Sequence, residues 1–227
     1  MDRAAAIAAE IAALPRRDTP AVRAVRRRWS GLLKLATAAE VLETACAFER
    51  AAGQQAKWVA YELIRFHPGA LAATGEEQVA DFATRLASWF AVDAFGTILA
   101  GRLWARGQLS DGLVDAWSHS PDRWVRRLAL VATVGLNAAG PGRIGDAGRT
   151  LAVCRRLAAD RDDMVEKGLS WALRELSKRN RAVVEGFMAE MGEGLAPRVR
   201  REVRNKLATG LKSGLKGGRI RRAVTAT

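Results

Sequence analysis

A chain of 227 residues that is 49% hydrophobic has material for one buried core or one short solenoid, and too little for several unrelated domains. No apolar run reaches the roughly 18 residues of a membrane span, Asp2, Arg3 and Glu10 interrupt the Ala-rich N-terminus where a signal core would lie, and Cys46 and Cys154, outside any CxxC spacing, point to neither a disulfide framework nor a zinc site. The formal net charge of +13 favours a polyanionic partner; the expectation is a cytoplasmic monomer with no metal and no cofactor.

The pattern is helical almost throughout, rich in Ala, Leu, Arg and Glu and without β-branched runs bounded by turns, so the fold class is all-α. In chain order, a first helix spans 2–14, and Thr19-Pro20 opens a second over 20–35. Thr37 and Glu40 form a capping box for 38–52, Gly53 separates it from 54–66, and His67 follows at the helix end. Thr74 and Glu77 read as a further capping box for 76–87, before a helix over 89–106 that stops at Gly107. A helix over 110–118 ends at His119, and Ser120-Pro121 reads as a cap followed by proline at the first helical position of 121–137. The two histidines read as capping or surface groups. After the Gly-rich loop 138–146 come helices over 147–159, 163–179, 181–191 and 197–212, then a basic tail from Gly217 that reads as disordered.

Twelve helices make six antiparallel pairs, and pairs that each bury a face against the next would build a curved α-solenoid over residues 1–216. The residues themselves show no strict repeat, so the pattern alone also admits an irregular bundle.

The positive charge is concentrated at the two ends: residues 1–35 hold eight Lys/Arg and three acids, residues 198–227 ten and one, and the middle nineteen and twenty. Arg23, Arg26, Arg27 and Arg28, and the run Arg198, Arg200, Arg201, Arg204 and Lys206, suit phosphate contacts; a solvated face or an anion-binding tail fits nearly as well.

No Gly-rich phosphate loop, Ser/His/Asp arrangement or metal motif is present. What stands out is tryptophan beside charge, with seven tryptophans against one tyrosine. Trp89 and Asp93 are four apart and share a helix face, and Trp124 with Arg127, and Trp171 with Arg174, repeat the one-turn relation with a cation. Taken as residues alone, tryptophans filling helix seams beside ordinary ion pairs is the commoner arrangement.

Trp89 with Asp93, the stretch Trp124-Val125-Arg126-Arg127-Leu128-Ala129-Leu130, and the stretch from Val165 through Lys167, Trp171 and Arg174 to Ser177 together resemble the AlkD-type DNA alkylation repair family, the HEAT-like-repeat alkylpurine DNA glycosylases. The resemblance runs from about residue 20 to 212 and is strongest over 86–180. It implies stacked helix pairs whose concave face cradles duplex DNA, with Asp93, Trp89, Trp171 and Arg127 as the catalytic cleft. It further implies that Asp93 stabilises an oxocarbenium ion, Arg127 grips the lesion-strand phosphate, and a cationic N3- or N7-alkylpurine is released without deep base flipping. Arg126, Arg174, Lys167, Arg23, Arg26, Arg27, Trp29, Arg201 and Arg204 are the expected DNA contacts. One departure is the second helix, where Val22 to Ser30 replaces the family's aromatic-rich motif and leaves Trp29 as the substitute. The alternatives are a non-catalytic protein of the same fold that binds branched or damaged DNA, a helical scaffold for an acidic protein, and an RNA-binding protein.

Overall fold

The computed structural model describes residues 2–138 and 145–213. Among them every regular element is helical: α1 (Arg3–Ala12), α2 (Thr19–Leu32), α3 (Ala38–Ala51), α4 (Trp58–Arg65), α5 (Pro68–Ala73), α6 (Glu76–Ala83), α7 (Trp89–Phe95), α8 (Gly101–Ala105), α9 (Asp111–Ser118), α10 (Arg123–Asn137), α11 (Ala147–Arg156), α12 (Asp163–Leu176), α13 (Arg181–Met191) and α14 (Pro197–Thr209). A π-helical turn, Gly96–Ala100, joins α7 to α8 in one rod. Most of the 138–146 loop and the whole tail from 217 lie outside the described residues.

Short polar side chains decide where the helices begin. Asp2, Asp18, Asp122, Asp146 and Asp162 each accept a backbone N–H of the first turn, and Thr37 with Glu40 forms the full capping box. Two expected caps are displaced. Thr74 turns back to donate to the Ala70 carbonyl, leaving Gly75 as the N-cap of α6. Asp122, not Ser120, caps α10, and the carbonyls of Ser120 and Pro121 accept from Arg126 instead. His67 caps α5: its Nδ1 accepts from the Ala70 N–H at 3.0 Å while Nε2 faces the Ala36 carbonyl at 3.1 Å.

The helices pair as the periodicity predicts, and the pairs stack. One row runs α2, α4, the α7–α8 rod, α10, α12 and α14, each packed on the next; the first helices of the pairs form a second row outside it. The result is a solenoid of helix pairs with one apolar core from Ile7 and Val41 through Phe95 and Leu130 to Val199 and Val203.

The repeat is written in side-chain ties rather than in repeated residues. Arg3 reaches Glu40, Arg85 reaches Glu49, Arg127 reaches Asp93, Arg126 reaches Asp160, Arg155 reaches Glu190 and Ser170 reaches Glu202, at sequence separations of 32 to 37. Each ties one helix pair to the next. The closest approach in the stack is glycine on glycine: a Cβ on Gly135 of α10 would lie 2.4 Å from the Gly96 carbonyl oxygen, and one on Gly101 would lie 2.3 Å from the Ala132 carbonyl oxygen. No larger residue fits there without parting the rod from α10.

Candidate active site

Ser88 starts α7 by accepting the Ala91 N–H at 3.2 Å. This cap sets which residues share a face. Ala91, Val92 and Phe95 go into the core, while Trp89 and Asp93, one turn apart, lie on the other side. Trp89 is 53% exposed, with Phe90 edge-on at 5.8 Å between ring centroids.

Asp93 does not stand free. Arg127 of α10 meets it as a two-pronged fork, Nε donating to Oδ1 and Nη2 to Oδ2, both at 2.9 Å. The third guanidinium nitrogen, Nη1, donates to the Met164 carbonyl of α12. One buried arginine therefore joins three consecutive helices of the row. The Asp93 side chain keeps 19% of its surface, and burial, only partly offset by the Arg127 hydrogen bonds and charge, holds its carboxyl above the ordinary value of 3.8.

Gly168 lies against α10 beside this arginine: a Cβ there would stand 3.3 Å from Leu130 Cδ1, a tight contact, and 3.6 Å from Arg127 Cγ, an ordinary one. Met164, Gly168 and Trp171 fall on one stripe of α12, so half-buried Trp171 rides on the helix face that seats Arg127.

The expected phosphate contacts divide into committed and free cations. Arg127 is largely buried: three of its five N–H groups are directed to Asp93 and Met164, so in this structure it orients the carboxylate, and one N–H remains on each terminal nitrogen. Arg126 donates to Asp160 at 2.7 Å and to two carbonyls ahead of α10. Arg23 and Arg26 both point at buried Glu62, at 3.2 and 2.7 Å. Arg174 donates to Ser170 Oγ beside Glu202, and burial lowers its pKa. Lys167 pairs with Asp163 on the surface. The indole of Trp29 donates to Glu10 of α1 at 2.8 Å. Arg27, Arg201 and Arg204 are exposed and make no ion pair among the described residues.

Sequence reasoning did not foresee the Met164 carbonyl, the close packing of Gly168 on Leu130 or the π turn. Gly168 sits inside the most diagnostic stretch, and a glycine in mid-helix is itself a signal of close packing.

The described helices form a solenoid of stacked pairs, with an exposed indole one turn from a clamped carboxylate and unpaired arginines in α2 and α14. The chain belongs to the DNA alkylation repair enzyme family, whose model matches residues 17–207. The structure of a predicted DNA alkylation repair enzyme from Enterococcus faecalis superposes with a TM-score of 0.68 over 92% of this chain and 96% of that one, at 19% identity, a likeness of fold. No curated protein matches by sequence. Among the described residues no helix is long and apolar enough to cross a membrane.

Proposed function

We propose that this protein is a DNA glycosylase that hydrolyses the N-glycosidic bond of cationic N3- or N7-alkylated purines in duplex DNA. The observation that carries this reading is Asp93: a carboxylate fixed in orientation by Arg127, with an open edge, one turn from a solvent-facing indole.

Alkylation at N3 or N7 gives the base a positive charge, so the C1'–N bond can break with its electron pair passing to the base and no strong acid is required. The sugar is left as an oxocarbenium ion, as in glycoside hydrolysis. Arg127 occupies one acceptor site on each oxygen of Asp93, and a carboxylate has about four. The remaining lone pairs face the developing cation and accept a hydrogen bond from the attacking water, whose oxygen bonds to C1' and whose proton leaves to the carboxylate or solvent. Trp89, and Trp171 on the neighbouring stripe, offer the negative faces of their rings to the cationic nucleotide. Arg27, Arg201 and Arg204, the free cations, hold flanking phosphates without reading sequence.

The concave face of the stack is the DNA cradle in this reading, and the lesion is attacked without a deep pocket. The test is release of methylated purine from duplex DNA by the wild-type protein and by Asp93→Asn. Equal rates in the two would end the catalytic assignment. Tight binding with no release by either would favour a non-catalytic DNA-binding member of the same fold, in which the Asp93–Arg127 fork serves only to join helices.

A further inference from the structure

The segment that sets the position of Trp89 carries none of the site's chemistry. Residues 84–88 link α6 to α7, supply Ser88 as its N-cap and run directly into Trp89. Gln54, ahead of α4, brackets this segment: its Nε2 donates to the Arg85 carbonyl at 2.9 Å and its Oε1 accepts the Ala87 N–H at 3.0 Å. A primary amide presents a donor and an acceptor side by side. Gln54 thus forms with the segment the two bonds that a neighbouring backbone would form.

The segment is anchored a second time through Arg85. Its Nε donates to Glu49 Oε2 at 2.7 Å, and its two terminal nitrogens meet the Asp81 carboxylate at 2.5 and 2.9 Å. Glu49 is fully buried and is balanced from the other side by Lys57, whose Nζ lies 2.6 Å from Oε1. Such a carboxylate holds its place only while both cations remain. Beneath α7, Phe95 rests on Tyr61 and Phe82 at ring separations of 4.9 and 5.8 Å. The helix is therefore seated from below by aromatics and clamped at its start by Gln54 and Arg85.

Trp89 follows the clamp by one residue from the cap. Being 53% exposed, its ring takes its position from the backbone under it more than from packing around it. We infer that Gln54, with Arg85 and Glu49 behind it, is a positioning group for Trp89, fixing the first turn of α7 and so the spacing between the indole and the Asp93 carboxylate. The inference rests on the base-release reading for its catalytic consequence, and on geometry alone for its structural one.

Gln54→Met keeps the length of the side chain and removes both hydrogen bonds. Two readouts apply to the full-length protein. The first is acrylamide quenching of tryptophan fluorescence, with Trp89→Phe as the background that removes the most exposed indole. The second is single-turnover release of 7-methylguanine from duplex DNA, together with the DNA concentration that half-saturates it. Gln54→Met should change the quenching slope of the Trp89 component, lower the single-turnover rate about tenfold, since misplacement well under 1 Å is enough for that, and leave half-saturation within about twofold.

An unchanged quenching slope overturns the inference whatever the activity does. An altered slope with a wild-type rate of base release overturns its catalytic half. If the wild-type protein releases no base, the function proposed above fails, and the quenching comparison still decides whether Gln54 positions Trp89.

Discussion

Two ties between neighbouring helices of the row both join arginine to a carboxylate and end differently. Between α2 and α4, Arg23 and Arg26 converge on one buried carboxylate, Glu62, and the Phe66 ring lies 4.5 Å from the Arg26 guanidinium. That tie holds more cation than anion and its carboxylate is closed off. Between α7 and α10, a single Arg127 meets a single Asp93, the charges balance, and the carboxylate keeps an open edge beside Trp89. An acid enclosed by two cations fastens helices and does nothing more. One gripped from a single side is fastened equally well and still has lone pairs to offer.

The sharpest test of this contrast is Asp93→Asn, which should slow release of methylated purine about a thousandfold, or about 4 kcal/mol at 1.4 kcal/mol per factor of ten. Glu62→Gln, at the enclosed tie, should leave the single-turnover rate within about threefold of wild type, and an equal loss in both would erase the distinction. Next in size is Arg127→Ala. It strands a largely buried carboxylate, so urea unfolding should show a loss of about 3 kcal/mol, with the helical circular dichroism retained in the absence of denaturant. A loss well under 1 kcal/mol would mean that Asp93 does not depend on its fork.

Gly135→Ala probes the glycine contact that brings the π turn and α8 against α10. It should cost about 1–3 kcal/mol in thermal unfolding and lower base release by disturbing the Asp93–Arg127 register.

Two smaller effects refine the picture. Burial raises the Asp93 pKa above 3.8, so the group stays protonated to a higher pH than an ordinary aspartate. Base release should therefore rise with pH through a midpoint above that value, and the raised pKa makes the ionised form a cost to folding that sets in over the same interval. A midpoint at or below 3.8 would refute the desolvated setting. Finally, Arg27→Ala and Arg204→Ala should each reduce the salt dependence of DNA binding by about one phosphate contact, whereas Arg126→Ala, already committed to Asp160, should leave the slope unchanged.

Much of the fold was legible because helices announce themselves twice, in a 3.6-residue apolar stripe and in the polar residue that begins them. Thr37 with Glu40 is such a case, and pairing followed from short connections. Helix α5 escaped notice because Pro68 to Ala73 is too short and too rich in alanine and glycine to display a stripe. The start of α10 differs from the expectation because Ser120 and Asp122 are both plausible caps, and only the geometry shows that Asp122 reaches the Trp124 N–H. For the site, the Trp89–Asp93 face could be read from spacing alone. The arginines could not: Arg126 and Arg127 are adjacent and chemically identical, yet one ends on Asp160 and the other on Asp93. Which acid an arginine finds depends on helices some thirty-four residues away.

The π turn between α7 and α8 has a consequence of phase. Gly96 and Gly101 are five residues apart, which on an α-helix would set them roughly 140° from one another. In the wider turn the Gly101 N–H bonds back to the Gly96 carbonyl, so the two stack in line and both meet Gly135. A deletion of one residue within 97–100 would restore an ordinary winding and rotate everything beyond it. The rod could then keep its carboxylate opposite Arg127 or its second glycine opposite α10, and not both.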